Sequence, residues 1–156
     1  MVEVRKVEFS DYVLLQNIFN LYLNEMSIYT KNNSLDEKGY YNIEALDNYF
    51  KKSDSFISYL VYEDGKVKGF INLTKAPYTI KNADYCIQDI YVLPFARRKG
   101  VSTIFLKEVF GLNKGSYFLS VNKNNIIAIN FFKKLLENGK EESLNEVMTS
   151  FSFINK

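Results

Sequence analysis

The sequence predicts a single α/β (α+β) domain built on a central mixed sheet, and three observations carry that reading. Its 156 residues are about one domain's worth of chain, enough to bury roughly 70% of the unfolded surface around one core. Apolar residues switch between period two and the helical period along the whole length, as strands alternating with helices require. An Asp64-Gly65 turn between two β-rich runs adds an antiparallel hairpin to that order. With 47% hydrophobic and 24% charged residues and no low-complexity tract, the composition excludes disorder. No repeat and no linker divides the chain, so residues 1–156 are expected to form one domain.

Val2 to Phe9 alternates apolar and charged residues, which predicts a first, half-buried strand. Ser10-Asp11 offers an N-cap, and Leu14, Leu15, Ile18, Phe19 and Tyr22 recur at helical spacing, so a helix is expected over about Asp11–Met26. Lys31-Asn32-Asn33-Ser34 and Glu37-Lys38-Gly39 read as a polar loop. Ile43, Leu46, Tyr49 and Phe50 then predict a short second helix. Ser55–Glu63 and Val67–Thr74 flank Asp64-Gly65 as antiparallel neighbours, ended by Pro77. Tyr85–Val92 is a strand closed by Pro94. After it come the basic turn Arg97-Arg98-Lys99-Gly100 and a helix carrying Val101, Ile104, Phe105 and Val109. Ser116–Val121 reads as a strand, Asn124 or Asn125 as the cap of a helix bearing Ile126, Ile129, Phe131, Phe132 and Leu135, and Glu146–Ile154 as the last strand.

The absences narrow the chemistry. There is no histidine, so a Ser-His-Asp or Cys-His nucleophile and a histidine-ligated zinc site cannot be built within one chain, and no metal is expected. Cys86 is the only cysteine, which rules out an internal disulfide and fits a cytoplasmic address. No apolar stretch approaches the ~20 residues of a membrane span and the N-terminus lacks a signal-peptide pattern, so no membrane partner is expected. A net charge of +2 is too balanced to imply nucleic acid. Any anion site must be local. The best candidate is the turn that leads from Pro94 into the helix at Val101. A helix start leaves its first amides unpaired, its dipole favours anions, and Arg97, Arg98 and Lys99 add formal charge. A pyrophosphate-bearing ligand suits such a place.

Ile90-Tyr91-Val92-Leu93-Pro94-Phe95-Ala96-Arg97-Arg98-Lys99-Gly100-Val101-Ser102 resembles the signature of the GNAT N-acetyltransferase superfamily, whose turn reads Gln/Arg-x-x-Gly-x-Gly/Ala. Arg97, Gly100 and Ser102 take those three places, Ser102 being a departure. Asn125-Ile126-Ile127-Ala128-Ile129-Asn130-Phe131-Phe132-Lys133-Lys134 resembles the family's Asn-x-x-Ala-x-x-Phe-Tyr-x-Lys run, with Phe132 in the tyrosine's place. The resemblance implies the GNAT fold, about six to seven strands flanked by about four helices. It also implies acetyl-coenzyme A as acyl donor to a primary amine of an unidentified small molecule or peptide. It places the pyrophosphate on the turn formed by Arg97, Arg98, Lys99, Gly100, Val101 and Ser102, and the pantetheine arm alongside Ile90, Tyr91 and Val92. Asn125 would contact that arm and Phe132 would pack near the thioester.

An alkyl amine, with a pKa near 10.4, is neutral in only about one molecule in 10³ at pH 7, so a base is needed. Asp89 is the nearest carboxylate by sequence, where polyamine-type members carry a Glu-Asp pair and this chain carries Gln88-Asp89. The glutamate that other members use is matched by Ser120, too weak a base. The family's tyrosine acid is matched by Phe132, with Tyr85, Tyr91 and Tyr117 as substitutes. The Val92 amide would stabilise the oxyanion. Tyr22, Glu25, Tyr29, Tyr40, Tyr41 and Glu44 are expected around the acceptor. Phe132 and Ser120 also motivate the alternative of a catalytically degenerate acyl-coenzyme A sensor, and the expectation leaves room for a homodimer.

Overall fold

The computed structural model describes residues 1–30, 34–51 and 54–156; Lys31, Asn32 and Asn33 of the expected polar loop lie outside the described residues. Seven strands form one sheet in the order β1-β2-β3-β4-β5-β7-β6. They are β1 (Val2–Lys6), β2 (Phe56–Glu63), β3 (Lys66–Lys75), β4 (Tyr85–Val92), β5 (Gly115–Asn122), β6 (Lys140–Ser143) and β7 (Met148–Asn155). Three α-helices, α1 (Tyr12–Met26), α2 (Val101–Leu112) and α3 (Ile126–Leu135), cover its faces. The fourth expected helix is a 3₁₀ segment, Glu44–Phe50.

Side-chain alternation sorts the core into two layers. Ile57, Tyr59, Val61, Ile71, Leu73 and Ile87 point to the face covered by α2 and α3, against Phe105, Leu106, Val109 and Phe132. Leu60, Phe70 and Tyr91 point to the other face, against Leu15, Ile18 and Phe19 of α1 and Leu46 of the 3₁₀ segment. Among the described residues no helix is long and apolar enough to cross a membrane.

Local differences from the sequence reading have physical causes. The first strand ends at Lys6, because Phe9–Asp11 forms a 3₁₀ turn. Asp11 does not cap α1 with its side chain. Its carboxylate accepts instead from the Glu8 amide at 2.9 Å and from both Arg5 Nη atoms at 2.9 and 3.1 Å. Strand β6 has no apolar residue to reveal it; Lys140–Ser143 is exposed throughout and is a strand because it pairs with Thr149–Ser152 of β7.

Two irregularities in β4 shape the region around its C-terminal end. Asn72 of β3 faces Asp89 while the next residue, Leu73, faces Ile87, so Gln88 is an extra residue, a β-bulge. The extra residue reverses the alternation downstream. Asp89 therefore shares the α1 face with Asn72, where a regular strand would put Gln88. The second irregularity is a split. β4 and β5, the sheet's one parallel pair, are in register only over Tyr85–Ile87 against Tyr117–Leu119. Beyond Ile87 the two strands part, and the sheet opens beside α2.

Gly69 holds the other side of that opening closed. A Cβ there would collide with the Tyr91 carbonyl oxygen and stand 2.9 Å from the Val92 Cα, so only glycine lets β3 lie this close to β4. Gly69→Ala is expected to lower stability by about 2–4 kcal/mol. Gly111→Ala, in α2 with nothing within 4 Å of the added carbon, should instead gain up to ~1 kcal/mol. Denaturant unfolding of the two variants checks the contrast.

Candidate active site

The turn between β4 and α2 is built to leave amides pointing outward. A 3₁₀ segment at Pro94–Ala96 ends with the Arg97 amide donating to the Pro94 carbonyl at 3.2 Å. Arg98 then has φ +61° and Gly100 φ +80°, and these alternating signs turn successive amides toward one concave spot, an arrangement that binds anions. The first bond of α2 runs from Ile104 N to Gly100 O at 3.1 Å, and no side chain caps the helix. Among the described residues, the amides of Arg98 and of Gly100 to Thr103 thus have no main-chain acceptor. A carbon added at Gly100 would meet nothing within 4 Å, so the space over the turn is open. Arg98 and Lys99 stand exposed beside it and, among the described residues, enter no ion pair.

Arg97 is placed differently from its neighbours. Its guanidinium turns back toward α1, where Nη1 and Nη2 donate to Glu25 Oε1 and Oε2 at 2.8 and 2.7 Å. Nε donates to the Val92 carbonyl at 2.7 Å, and the group lies 5.3 Å from the Tyr91 ring centre. The structure brings Arg98, Lys99, Gly100, Val101 and Ser102 together at this turn but not the side chain of Arg97. Glu25, expected near the acceptor, is spent on that arginine.

The open edge of β4 adjoins this turn. The Leu93 amide donates to the Lys68 carbonyl at 2.7 Å, and the antiparallel ladder alternates between strand sides. Ile90 and Val92 therefore direct their main-chain groups away from β3, toward the gap where β5 no longer pairs. Arg97 occupies the Val92 carbonyl, which leaves the Val92 N–H facing the gap. The Tyr91 side chain lies on the α1 face instead, 5.9 Å from the Tyr22 ring.

Asp89 heads a buried polar line across three strands. Ser58 Oγ donates to Asn72 Oδ1 at 2.7 Å, and Asn72 Nδ2 donates to Asp89 Oδ2 at 3.0 Å. Ser58 and Asn72 are 2% and 0% exposed, and the register puts all three side by side. Burial pushes the Asp89 carboxyl above its ordinary value, partly offset by hydrogen bonds from Asn72 and Tyr22. The phenols of Tyr22 and Tyr49 are pushed up in turn, first by burial and then by the Asp89 charge. Gln88 leaves the line and donates to Thr74 Oγ1 at 2.9 Å. Sequence reading missed Asn72 and Ser58, although a single asparagine inside the apolar run Phe70-Ile71-Asn72-Leu73 was a signal.

The remaining expected residues are dispersed. Asn125 caps α3, its Oδ1 accepting from the Ala128 amide at 3.2 Å. Phe132 is 3% exposed, packed on Phe151 and Phe131 in the core. Tyr85 and Tyr117 stack on each other inside the same core, which removes them from the opening, and the Tyr91 ring is buried on the α1 face against Tyr22 and Phe70. Tyr41 donates to Asn24 Oδ1 at 3.1 Å, Tyr40 and Glu44 are exposed, and the Tyr29 carbonyl accepts from Asn122 Nδ2 at 3.2 Å. Ser120 is exposed on β5. Among the described residues no three His, Cys, Asp or Glu side chains are grouped to hold a metal ion.

A raised carboxyl has a sign for stability. The folded chain binds the Asp89 proton more tightly than the unfolded chain, so this group's contribution falls as pH rises from the unfolded value, about 3.9, through the higher folded one. Asp89→Asn should therefore raise the melting temperature at pH 7. The gain should vanish at pH 3, where both states hold the proton. Melting curves of the two proteins across that range test it.

The sequence profile of the Acetyltransferase (GNAT) family matches residues 15–136. No curated protein sequence resembles the chain closely enough to count as a relative. Among solved structures, an acetyltransferase of Bacillus anthracis str. Ames in complex with acetyl coenzyme A is similar at TM-score 0.68 and 17% identity, covering 100% of this chain and 99% of its own. The Arabidopsis thaliana NAA60 in complex with a bisubstrate analogue is similar at TM-score 0.70 and 16% identity, with 99% and 98% covered. The PaiA N-acetyltransferase of Thermoplasma acidophilum in complex with coenzyme A is similar at 0.66 and 16%, with 99% of each chain covered. At these identities the three structures establish the fold, and the profile match over most of the chain establishes the family: this chain belongs to the GNAT acetyltransferases.

Proposed function

We propose that residues 1–156 act as one N-acetyltransferase domain that moves an acetyl group from acetyl-coenzyme A to a primary amine. The observation that carries this reading is the continuity of two unpaired main-chain edges, the outward side of β4 at Ile90–Val92 and the amides of Gly100–Thr103. Together they fit a long ligand with an amide-bearing arm and a pyrophosphate. Solved relatives in complex with acetyl coenzyme A and coenzyme A support the same donor.

In this reading the Arg98–Ser102 turn holds the pyrophosphate through its amides, and Arg98 and Lys99 supply the neutralising charge. Ile90 and Val92 hold the pantetheine arm by β-augmentation. Asn125 has its side-chain oxygen committed to the helix cap, so its NH₂ is the group left to donate to that arm. Acetyl-coenzyme A supplies an activated acetyl thioester. Asp89 accepts the proton of the incoming ammonium, directly or through one water, and burial makes it a stronger base than a free aspartate. Asn72 and Ser58 fix its orientation. The Val92 N–H faces the gap where negative charge develops on the carbonyl oxygen. Phe132 has no proton to give, and a thiol with pKa about 8.5 needs little help to leave.

Two variants test separate halves of this scheme. Asp89→Asn is expected to cut turnover by ~10²-fold or more, measured by free-thiol release over a panel of amines, while coenzyme A affinity stays within about two-fold. Wild-type turnover in that variant would remove Asp89 from the reaction. Gly100→Asn keeps a residue that tolerates φ above zero but fills the space over the turn. It should weaken coenzyme A binding at least ~10-fold by calorimetry, and unchanged affinity would place the phosphates elsewhere.

A further inference from the structure

We propose that Glu25 and Arg97 form a clasp that positions the end of β4, so that Arg97 acts on the reaction through the Val92 peptide and not as a phosphate ligand. This role rests on the acetyl-transfer reading. In the sequence Arg97, Arg98 and Lys99 are three adjacent cations that charge alone does not tell apart. The geometry separates them: Arg98 and Lys99 are exposed and unpaired among the described residues, whereas every nitrogen of the Arg97 guanidinium is committed. Both Glu25 oxygens are engaged as well, so the pair is a closed fork between residues 72 apart in the chain.

The third arm gives the clasp its purpose. The N–H and C=O of a strand residue point to the same side, so the Val92 carbonyl would sit bare beside the Val92 N–H at the open edge. Arg97 Nε covers that carbonyl at 2.7 Å, which leaves only the donor presented and fixes the direction of the strand end. Tyr91 lies under the guanidinium and adds a second contact on the preceding residue of the same strand. The Arg97 and Glu25 side chains remain 37% and 30% exposed, and at such exposure an ion pair adds little net stability. Bidentate pairing does add orientation, which a lysine cannot supply. Glu25 is also the residue through which α1, the acceptor-side helix, is tied to the donor turn.

The test compares Arg97→Lys, Glu25→Gln and the double variant in the full-length protein. Coenzyme A affinity by calorimetry should stay within ~3-fold of wild type in all three. Hydrogen exchange of the Leu93 amide, which is bonded to Lys68 O, should speed up at least ~10-fold in each, while amides of β2 hold. With the best amine of the panel, kcat should fall ~10-fold in either single variant and no further in the double, with KM for the amine within ~3-fold. The clasp is overturned if Arg97→Lys alone loses more than ~10-fold in coenzyme A affinity, if the two kcat losses multiply, or if Leu93 protection is unchanged. Should wild type acetylate no amine at all, the acetyl-transfer reading fails. Leu93 exchange and calorimetry still decide whether the clasp exists.

Discussion

Strand β4 is paired on both sides only as far as Ile87, and the rest of the site depends on that one-sided ladder. A strand that continues for five residues after losing a neighbour leaves outward N–H and C=O groups that need partners. The fold answers one of them internally, with Arg97 Nε on the Val92 carbonyl, and leaves the Val92 N–H open. Because α2 begins nine residues after Val92, on the open side, its own unpaired amides extend the same edge. One long polar edge results from two elements that are each incomplete.

The bulge at Gln88 is the second constraint, and it governs the opposite face. One extra residue moves Asp89 onto the α1 side, into line with Asn72 and Ser58. That line is satisfied along its length, which lets a carboxylate stay partly buried under α1 and the Glu44–Phe50 segment. An open main-chain edge and a partly buried carboxylate are thereby brought to one strand from two directions. In the proposed reading the main-chain edge at Ile90 and Val92 serves one ligand, and the Asp89 side chain, one and three residues earlier, faces the other.

Most of the fold was legible because its signals are local. Asp64-Gly65 fixed the hairpin, and Pro94 and the apolar spacing from Val101 bounded β4 and α2 closely. Strand β6 was not legible, since Lys140–Ser143 has no apolar side and is a strand only by pairing with β7. The Glu44–Phe50 segment kept its apolar spacing but wound as a 3₁₀ helix. At the site, residue types were readable and partners were not. Nothing near Arg97 in sequence announces Glu25, and nothing near Asp89 announces Ser58, because both arrangements are set by which strands and helices the topology makes neighbours.

The most direct test of a ligand lying along the open edge of β4 is a titration of the ¹⁵N-labelled protein with coenzyme A, monitored by amide chemical shifts. Saturable shifts are expected to concentrate at Arg98–Thr103 and at Ile90 and Val92, with β6 and β1 unmoved. Shifts centred on another surface, or none at Val92 when the turn saturates, would contradict that placement.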